Sequence, residues 1–340
     1  MPVLESRNLS SVRVAVSSPL REVPLVTLYV TERCNSRCVT CDYWRHGRSD
    51  LSLDSVTRML PGLVEMGTRV VVLSGGEPLL HPQWAAMATL LASQQVEVWL
   101  LTSGLSLEKH ASQAASLFKD ITVSMDGTEA RTYAAIRGLN AFDKVCQGIR
   151  AASVHGNAPS LRVTLQRANY RELPRFVELA RSLGARRVSF LAVDVANPHA
   201  FGRHADFSGE VALSLEDLTI FERLLDSLER THADDFRSGF IAESPEKLRR
   251  ILEYFTALQG RGSYPPVRCN APEFSAVIAA DGRVQPCFFI AGPGNDAPAR
   301  NLHAALNSHA MTALRDDIRA GRRAECKTCV CSKWRDMASS

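Results

Sequence analysis

Three cysteines, Cys34, Cys38 and Cys41, follow an apolar run, 24–30, at the spacing CxxxCxxC. Thiolates are soft ligands that favour zinc, Cu(I) or iron–sulfur clusters. A closed site wants four protein ligands, whereas a reactive one keeps a position open. Three cysteines in one short loop therefore point to a cluster with one iron free for an outside ligand. A zinc knuckle is the competing reading, with His46 available as a fourth ligand. A second set stands near the other end of the chain. It runs Cys269, twelve residues, Gly282, four residues, Cys287, then, after a gap, Cys326-Lys-Thr-Cys329. Four thiolates across a hairpin and a terminal CxxC make a closed tetrathiolate site, for which structural zinc is the rival. Cys331 follows as a ligand, a spare or a substitute for Cys329. Cys146 lies on an apolar helical face and reads as core.

Polar residues gather at the ends of the strand-like runs. Ser74-Gly75-Gly76-Glu77-Pro78 follows the second run. Its glycines allow close backbone approach, and acceptors there suit an ammonium. Thr102-Ser103-Gly104 and Ser124-Met125-Asp126-Gly127 end the third and fourth runs. By themselves these are turns built from Ser, Asp and Gly. Tyr133, Arg137 and Gly138 come next. Arg137 is suited to a carboxylate, in a ligand or in a structural salt bridge.

The elements that must position these residues are legible. Candidate strands are 25–30, 69–73, 96–101, 121–124, 161–165 and 187–193. Between them apolar residues recur at helical spacing: Phe142, Val145, Cys146 and Ile149, then Leu173, Phe176, Val177 and Ala180, the latter closed by Gly184. Strand and helix in alternation predict a parallel sheet with helices outside. Six such strands suit a partial (β/α)6 TIM-like barrel, α/β in class. Parallel βα folds place chemistry at the C-terminal ends of strands, where both the cysteine loop and the Gly-Gly-Glu-Pro turn fall. After the barrel, Ser214 and Asp217 predict a capped helix through Leu228. Tyr264-Pro265-Pro266 marks a stiff boundary. A hairpin is expected at 274–279 and 284–289, with Asp281-Gly282 at its turn. The resulting division is an N-terminal extension, 1–23, a barrel core, 24–193, a connecting region, 194–266, and a small Cys-rich module, 267–340.

Bulk properties exclude several classes. The chain has 340 residues, 45% of them hydrophobic, enough for a globular core. Net charge is +4, from 40 basic and 36 acidic residues, without the clustered basic stripe that nucleic acid requires. No uncharged apolar run reaches membrane-spanning length. The N-terminus lacks the apolar core of a signal peptide, so a cytoplasmic location is expected. In a reducing compartment the nine cysteines read as ligands rather than disulfides.

Cys34, Cys38 and Cys41 followed by Gly75, Gly76 and Glu77 resemble the radical S-adenosylmethionine (radical SAM) enzymes. The resemblance implies that the three cysteines hold a [4Fe-4S] cluster whose fourth iron binds SAM. It implies that Gly75, Gly76 and Glu77 receive the SAM amino group. Thr102, Ser103, Ser124, Asp126 and Arg137 match positions near its ribose and carboxylate. One departure is Thr40, where the family often has an aromatic residue; Tyr43 and Trp44 follow instead. Cys269, Cys287, Cys326 and Cys329 resemble the auxiliary-cluster module of the SPASM/twitch subgroup, which implies one auxiliary [4Fe-4S] cluster. The implied activity is formation of a 5′-deoxyadenosyl radical that removes hydrogen from a substrate C–H bond. A fully ligated auxiliary cluster suits electron acceptance, so a net oxidation is expected. With 23 residues before the first strand, a small natural-product or cofactor intermediate is the expected substrate. Maturation of a ribosomal peptide is the alternative. A non-catalytic iron–sulfur or zinc protein is the reading from another class. A flavodoxin or ferredoxin is the expected electron donor. Asp194, Asn197, His199, Arg203 and His204 either line the mouth of the barrel or form a solvated loop.

Overall fold

The structure is a computed structural model that describes residues 19–195, 197, 200–203, 209–292 and 301–336. Six parallel strands form the barrel: β1 (Leu25–Thr31), β2 (Val70–Gly75), β3 (Glu97–Thr102), β4 (Asp120–Ser124), β5 (Ser160–Leu165) and β6 (Arg187–Ala192). Each neighbouring pair is parallel, from Leu25 opposite Val70 to Leu165 opposite Ala192. The expected strands lie within two residues of these. Val, Ile and Leu dominate them, as burial from both faces of a parallel sheet requires.

The intervening helices are α1 (Tyr43–His46), α2 (Leu53–Glu65), α3 (Trp84–Ala92), α4 (Leu107–Leu117), α5 (Ala130–Arg137), α6 (Phe142–Val154) and α7 (Leu173–Ser182). Ser52 caps α2 by accepting from the Ser55 amide, and Val56, Met59, Leu60 and Leu63 form its buried stripe. On α6 the buried stripe is Val145, Cys146, Ile149 and Ala152, so Cys146 is a core residue.

The connecting region guards the open edge of the sheet. It contains α8 (Leu215–Thr231), α9 (Ala233–Ser238) and α10 (Pro245–Leu258). Ser214 and Asp217 form the expected capping box, and α8 continues three residues beyond Leu228. Ile241 bridges Val188 of β6. Glu243 accepts from Ser189 Oγ (2.8 Å) and the Phe190 amide (2.7 Å). The row of polar groups that an edge strand would expose is thereby covered.

The C-terminal hairpin is built onto the barrel sheet. β7 (Ser275–Ile278) runs parallel to β1, with Leu25 opposite Ser275 and Leu28 opposite Ile278. β8 (Val284–Gln285) returns antiparallel. Gly282 turns the chain at φ 86°, the left-handed region open to glycine. The hairpin is shorter than expected because Pro286 has no N–H to continue the ladder. The chain ends in α11 (Leu302–Leu306), α12 (His309–Arg319) and α13 (Ala324–Lys327), with α11 packed on α2.

β1 is thus flanked on both sides, and Leu28 at its centre is fully buried. Leu28→Ala should destabilise the chain by about 2–5 kcal/mol, through lost burial and the cavity left behind. Urea unfolding followed by circular dichroism measures this, and a loss below about 1 kcal/mol would contradict β1 as the central strand.

Candidate metal centres and cofactor site

The loop carrying Cys34, Cys38 and Cys41 leaves β1 through an irregularity between Tyr29 and Thr31. Segment 49–51 pairs back onto it: the Glu32 amide donates to Ser49 O and the Leu51 amide to Val30 O. Asp50 accepts from Thr31 Oγ1 (2.5 Å) and from Arg33 Nε and NH2 (3.1 and 2.7 Å). The far side of the loop rests on the end of α5. The amides of Arg37 and Val39 donate to the carbonyls of Arg137 and Ile136. Gly138 follows at φ 71°, where a Cβ would stand 2.3 Å from Arg37 O.

The Gly75-Gly76-Glu77 turn lies directly against this loop. A Cβ on Gly76 would sit 2.2 Å from Arg33 O, and one on Gly75 2.3 Å from Thr31 O. The Gly76 and Glu77 amides donate to Thr31 O (2.7 Å) and Arg33 O (2.8 Å). The Glu77 carboxylate is fully buried and used by the protein. Its Oε1 accepts from Thr102 Oγ1 (2.7 Å) and the Leu79 amide (3.2 Å), its Oε2 from the Ser103 amide (2.7 Å). Thr102 and Ser103 therefore clamp the turn rather than standing apart from it.

Asp126 and Arg137 meet at the end of β4. Arg137 NH1 lies 3.4 Å from Asp126 Oδ2 and 3.3 Å from Cys38 Sγ, while NH2 donates to Ser124 O (3.2 Å). Burial pushes the Asp126 carboxyl up, with Arg137 and the Thr164 amide pulling the other way. Asn169 holds the Asp126 loop by donating to Asp126 O and Thr164 O (both 3.0 Å). Buried polar atoms without a protein partner remain around the mouth: Asn35 Oδ1, Ser36 Oγ, Arg137 Nε and Gln166 Nε2. A polar ligand would satisfy them.

The second set converges on one cavity lined by Cys269, Cys287, Cys326, Cys329 and Cys331. Asn270 pins its C-terminal strap, exchanging bonds with Arg335 N (2.9 Å) and Arg335 O (2.8 Å). Burial pushes the thiols of Cys34, Cys287 and Cys326 up to about 11 and that of Cys41 to about 12. Cys329 is raised further by the same cause.

A recurring amide meets five of the seven ligand candidates, all but Cys38 and Cys326. The Ala271 amide donates to Cys269 Sγ (3.5 Å) and the Cys331 amide to Cys329 Sγ (3.4 Å), each from two residues ahead. The amides of Ser36, Tyr43 and Phe289 bear likewise on Cys34, Cys41 and Cys287. N–H groups aimed at sulfur stabilise thiolate, the form that binds metal. Among the described residues no three Cys, His, Asp or Glu side chains gather closely enough for a single metal ion. The donor set, mostly half-buried thiols with amides aimed at five of the sulfurs, fits thiolate-held iron–sulfur groups.

Aromatic rings join the two thiol sets. Tyr29 meets Tyr43 edge-on at 5.9 Å and stacks on Phe288 at 6.5 Å. Tyr43 lies two residues past Cys41 and Phe288 one past Cys287. The loop after β6 closes over this region. Arg203 donates to Thr40 O (3.3 and 3.2 Å), Asn197 O (3.1 Å) and Asp194 O (2.7 Å), and Asn197 Nδ2 to Phe289 O (2.7 Å). Asp194, Asn197 and Arg203 are buried, so they form no solvated loop. His199 and His204 lie outside the described residues. Sequence patterns gave no sign of Asp50 or Asn169 at the site, because their partners are up to 43 positions away.

Strand-end loops beside a three-cysteine loop, on a parallel partial barrel, define a class. Residues 28–190 match the Radical SAM superfamily, so the chain carries a radical SAM domain. The superfamily's cofactors are a [4Fe-4S] cluster and S-adenosylmethionine. A "Probable GTP 3′,8-cyclase" of Methanopyrus kandleri is 36% identical over 163 residues, 46% of this chain and 53% of the cyclase. The chain thus spans about half the length of that relative. "Fe-coproporphyrin III synthase" of Methanosarcina barkeri is 24% identical over 344 residues, 93% of this chain and 82% of the synthase. SuiB of Streptococcus suis, solved with its precursor peptide SuiA, has a TM-score of 0.65 at 13% identity, covering 92% of this chain and 72% of SuiB. That likeness shows the shared fold.

Two outcomes test this geometry. Gly76→Ala should displace the chain entering Cys34 and lower reconstituted iron by about four per chain, one cubane's worth, as measured by iron analysis. Iron at the wild-type level would contradict the close approach. Cys329→Ala should lose the iron of the C-terminal site while Cys331→Ala keeps it, because only Cys329 has an amide aimed at its sulfur. Equal iron in both variants would remove that distinction.

Proposed function

We propose that this chain is a radical SAM oxidoreductase acting on a small natural-product or cofactor intermediate, with residues 24–193, 194–266 and 267–340 as core, connector and auxiliary module. The carrying observation is the separation of three cysteines on the loop after β1 from a second set that lines one cavity in the C-terminal region. Cys34, Cys38 and Cys41 would hold the barrel cluster, and Cys269, Cys287, Cys326 and Cys329 the auxiliary one. When bound, these groups and SAM supply a 5′-deoxyadenosyl radical and a place for the electron left on the substrate. The chain's own residues bind and aim. Gly75 and Gly76 present bare backbone beside the cysteine loop, and Glu77, Thr102 and Ser103 hold that turn still. Ser124, Asp126 and Arg137 form the polar wall on the other side. Asp194, Asn197, Arg203 and the aromatic rings exclude water, which protects a radical and orients the carbon it attacks.

The small-molecule reading draws support from a relative aligned over most of both chains, whose name is that of a synthase of a small molecule, Fe-coproporphyrin III. A flavodoxin- or ferredoxin-type protein would supply the electron.

Anaerobically reconstituted chain, given dithionite and SAM, should release 5′-deoxyadenosine, and Cys34→Ala, Cys38→Ala and Cys41→Ala should each abolish release. Iron and zinc analysis should give about eight irons per chain and no stoichiometric zinc. One zinc with about four irons would make the C-terminal site structural and remove electron acceptance from the proposal. Deuterium transfer from a peptide rather than from small molecules would move the substrate class to the ribosomal-peptide alternative.

A further inference from the structure

We propose that Arg137 raises the reduction potential of the barrel cluster by a charge-assisted hydrogen bond to the Cys38 sulfur, and that Asp126 limits the rise. This rests on the proposed cluster at Cys34, Cys38 and Cys41. The contact is over-determined by the fold. The carbonyls of Ile136 and Arg137 accept from Val39 and Arg37, the residues on either side of Cys38. The Arg137 side chain then reaches the sulfur between them, at 3.3 Å. One residue thus both places Cys38 and touches its sulfur.

Its electrostatics are those of a low-dielectric site. The Arg137 side chain is 12% exposed and that of Asp126 5%. Burial works against the guanidinium charge, and the fields of Cys38 and Asp126 more than offset it. Arginine stays protonated, so reduction here takes up one electron and no proton from this group. The added electron places negative charge on the cluster and its sulfurs. A fixed cation at one sulfur favours that state over the oxidised one, as hydrogen bonds to cluster sulfurs do in general. Asp126, 3.4 Å from the same nitrogen, neutralises part of the cation. Its removal should therefore act in the opposite direction. Arg137 is a positioning residue in this scheme, acting through Cys38.

The test is a redox titration of the reconstituted full chain, followed by electron paramagnetic resonance, with SAM left out. Arg137→Met should make the reduction equilibrium at least tenfold less favourable, 59 mV for a one-electron couple. Arg137→Lys, which keeps a charge but not the fork, should fall between that variant and wild type. Asp126→Asn should shift the equilibrium towards the reduced form. The Lys and Asn variants carry the test if the Met variant fails to fold. Fully iron-loaded variants at the wild-type potential would overturn the inference. So would a variant that loses SAM affinity alone, since Arg137 would then act only on the ligand. Wild-type chain without iron at Cys34, Cys38 and Cys41 would instead overturn the proposed function on which the inference rests.

Discussion

The turn after β2 lies so close to the chain leaving β1 that no side-chain carbon fits between them. Gly75 and Gly76 make that approach possible, with carbonyls standing where a Cβ would be. Two amide-to-carbonyl bonds then lock the turn to Thr31 and Arg33, just before Cys34. Everything around the first thiol set follows from this contact. Glu77 can clamp β2 to β3 only because the turn is held, and its buried carboxylate is satisfied only because Thr102 and Ser103 end β3 at the right level. A buried carboxylate without such donors would be costly enough to forbid the arrangement.

The same loop is gripped from the opposite side by the end of α5. Helix C-termini leave carbonyls without partners inside the helix. Here two of them take the amides of Arg37 and Val39, so satisfying the helix and shaping the cysteine loop are one act. A cation at that helix end is also favoured by the peptide dipoles. Arg137 therefore suits its position for reasons of stability before any cofactor enters, and the site uses a charge that the fold already rewards.

Adding β7 to the free side of β1 carries the second thiol set to the barrel. β1 carries Leu25 and Thr27 on the wall of the C-terminal cavity and Tyr29 between the two sets. One strand thus spaces both sites, so their separation is as rigid as the sheet. Two residues after β6 fasten the arrangement, since Arg203 holds Thr40 in the first loop and Asn197 holds Phe289 in the second.

The sequence by itself determined the six strands, the helices with strong apolar periodicity, the strand-end location of the polar turns and the two groups of cysteines. Those features are local: pleat, helical period and metal-ligand spacing act over a few residues. Tertiary structure decided what no local pattern records. Glu77, a candidate for a ligand's amino group, spends its carboxylate on Thr102, Ser103 and Leu79. Arg137, a candidate for a ligand's carboxylate, sits between Asp126 and a cysteine 99 positions away. Cys329 and Cys331 look equivalent in the sequence, yet only the former has an amide aimed at its sulfur. These differences depend on where separate loops meet, and hydrogen bonds between distant groups are chosen by the fold as a whole.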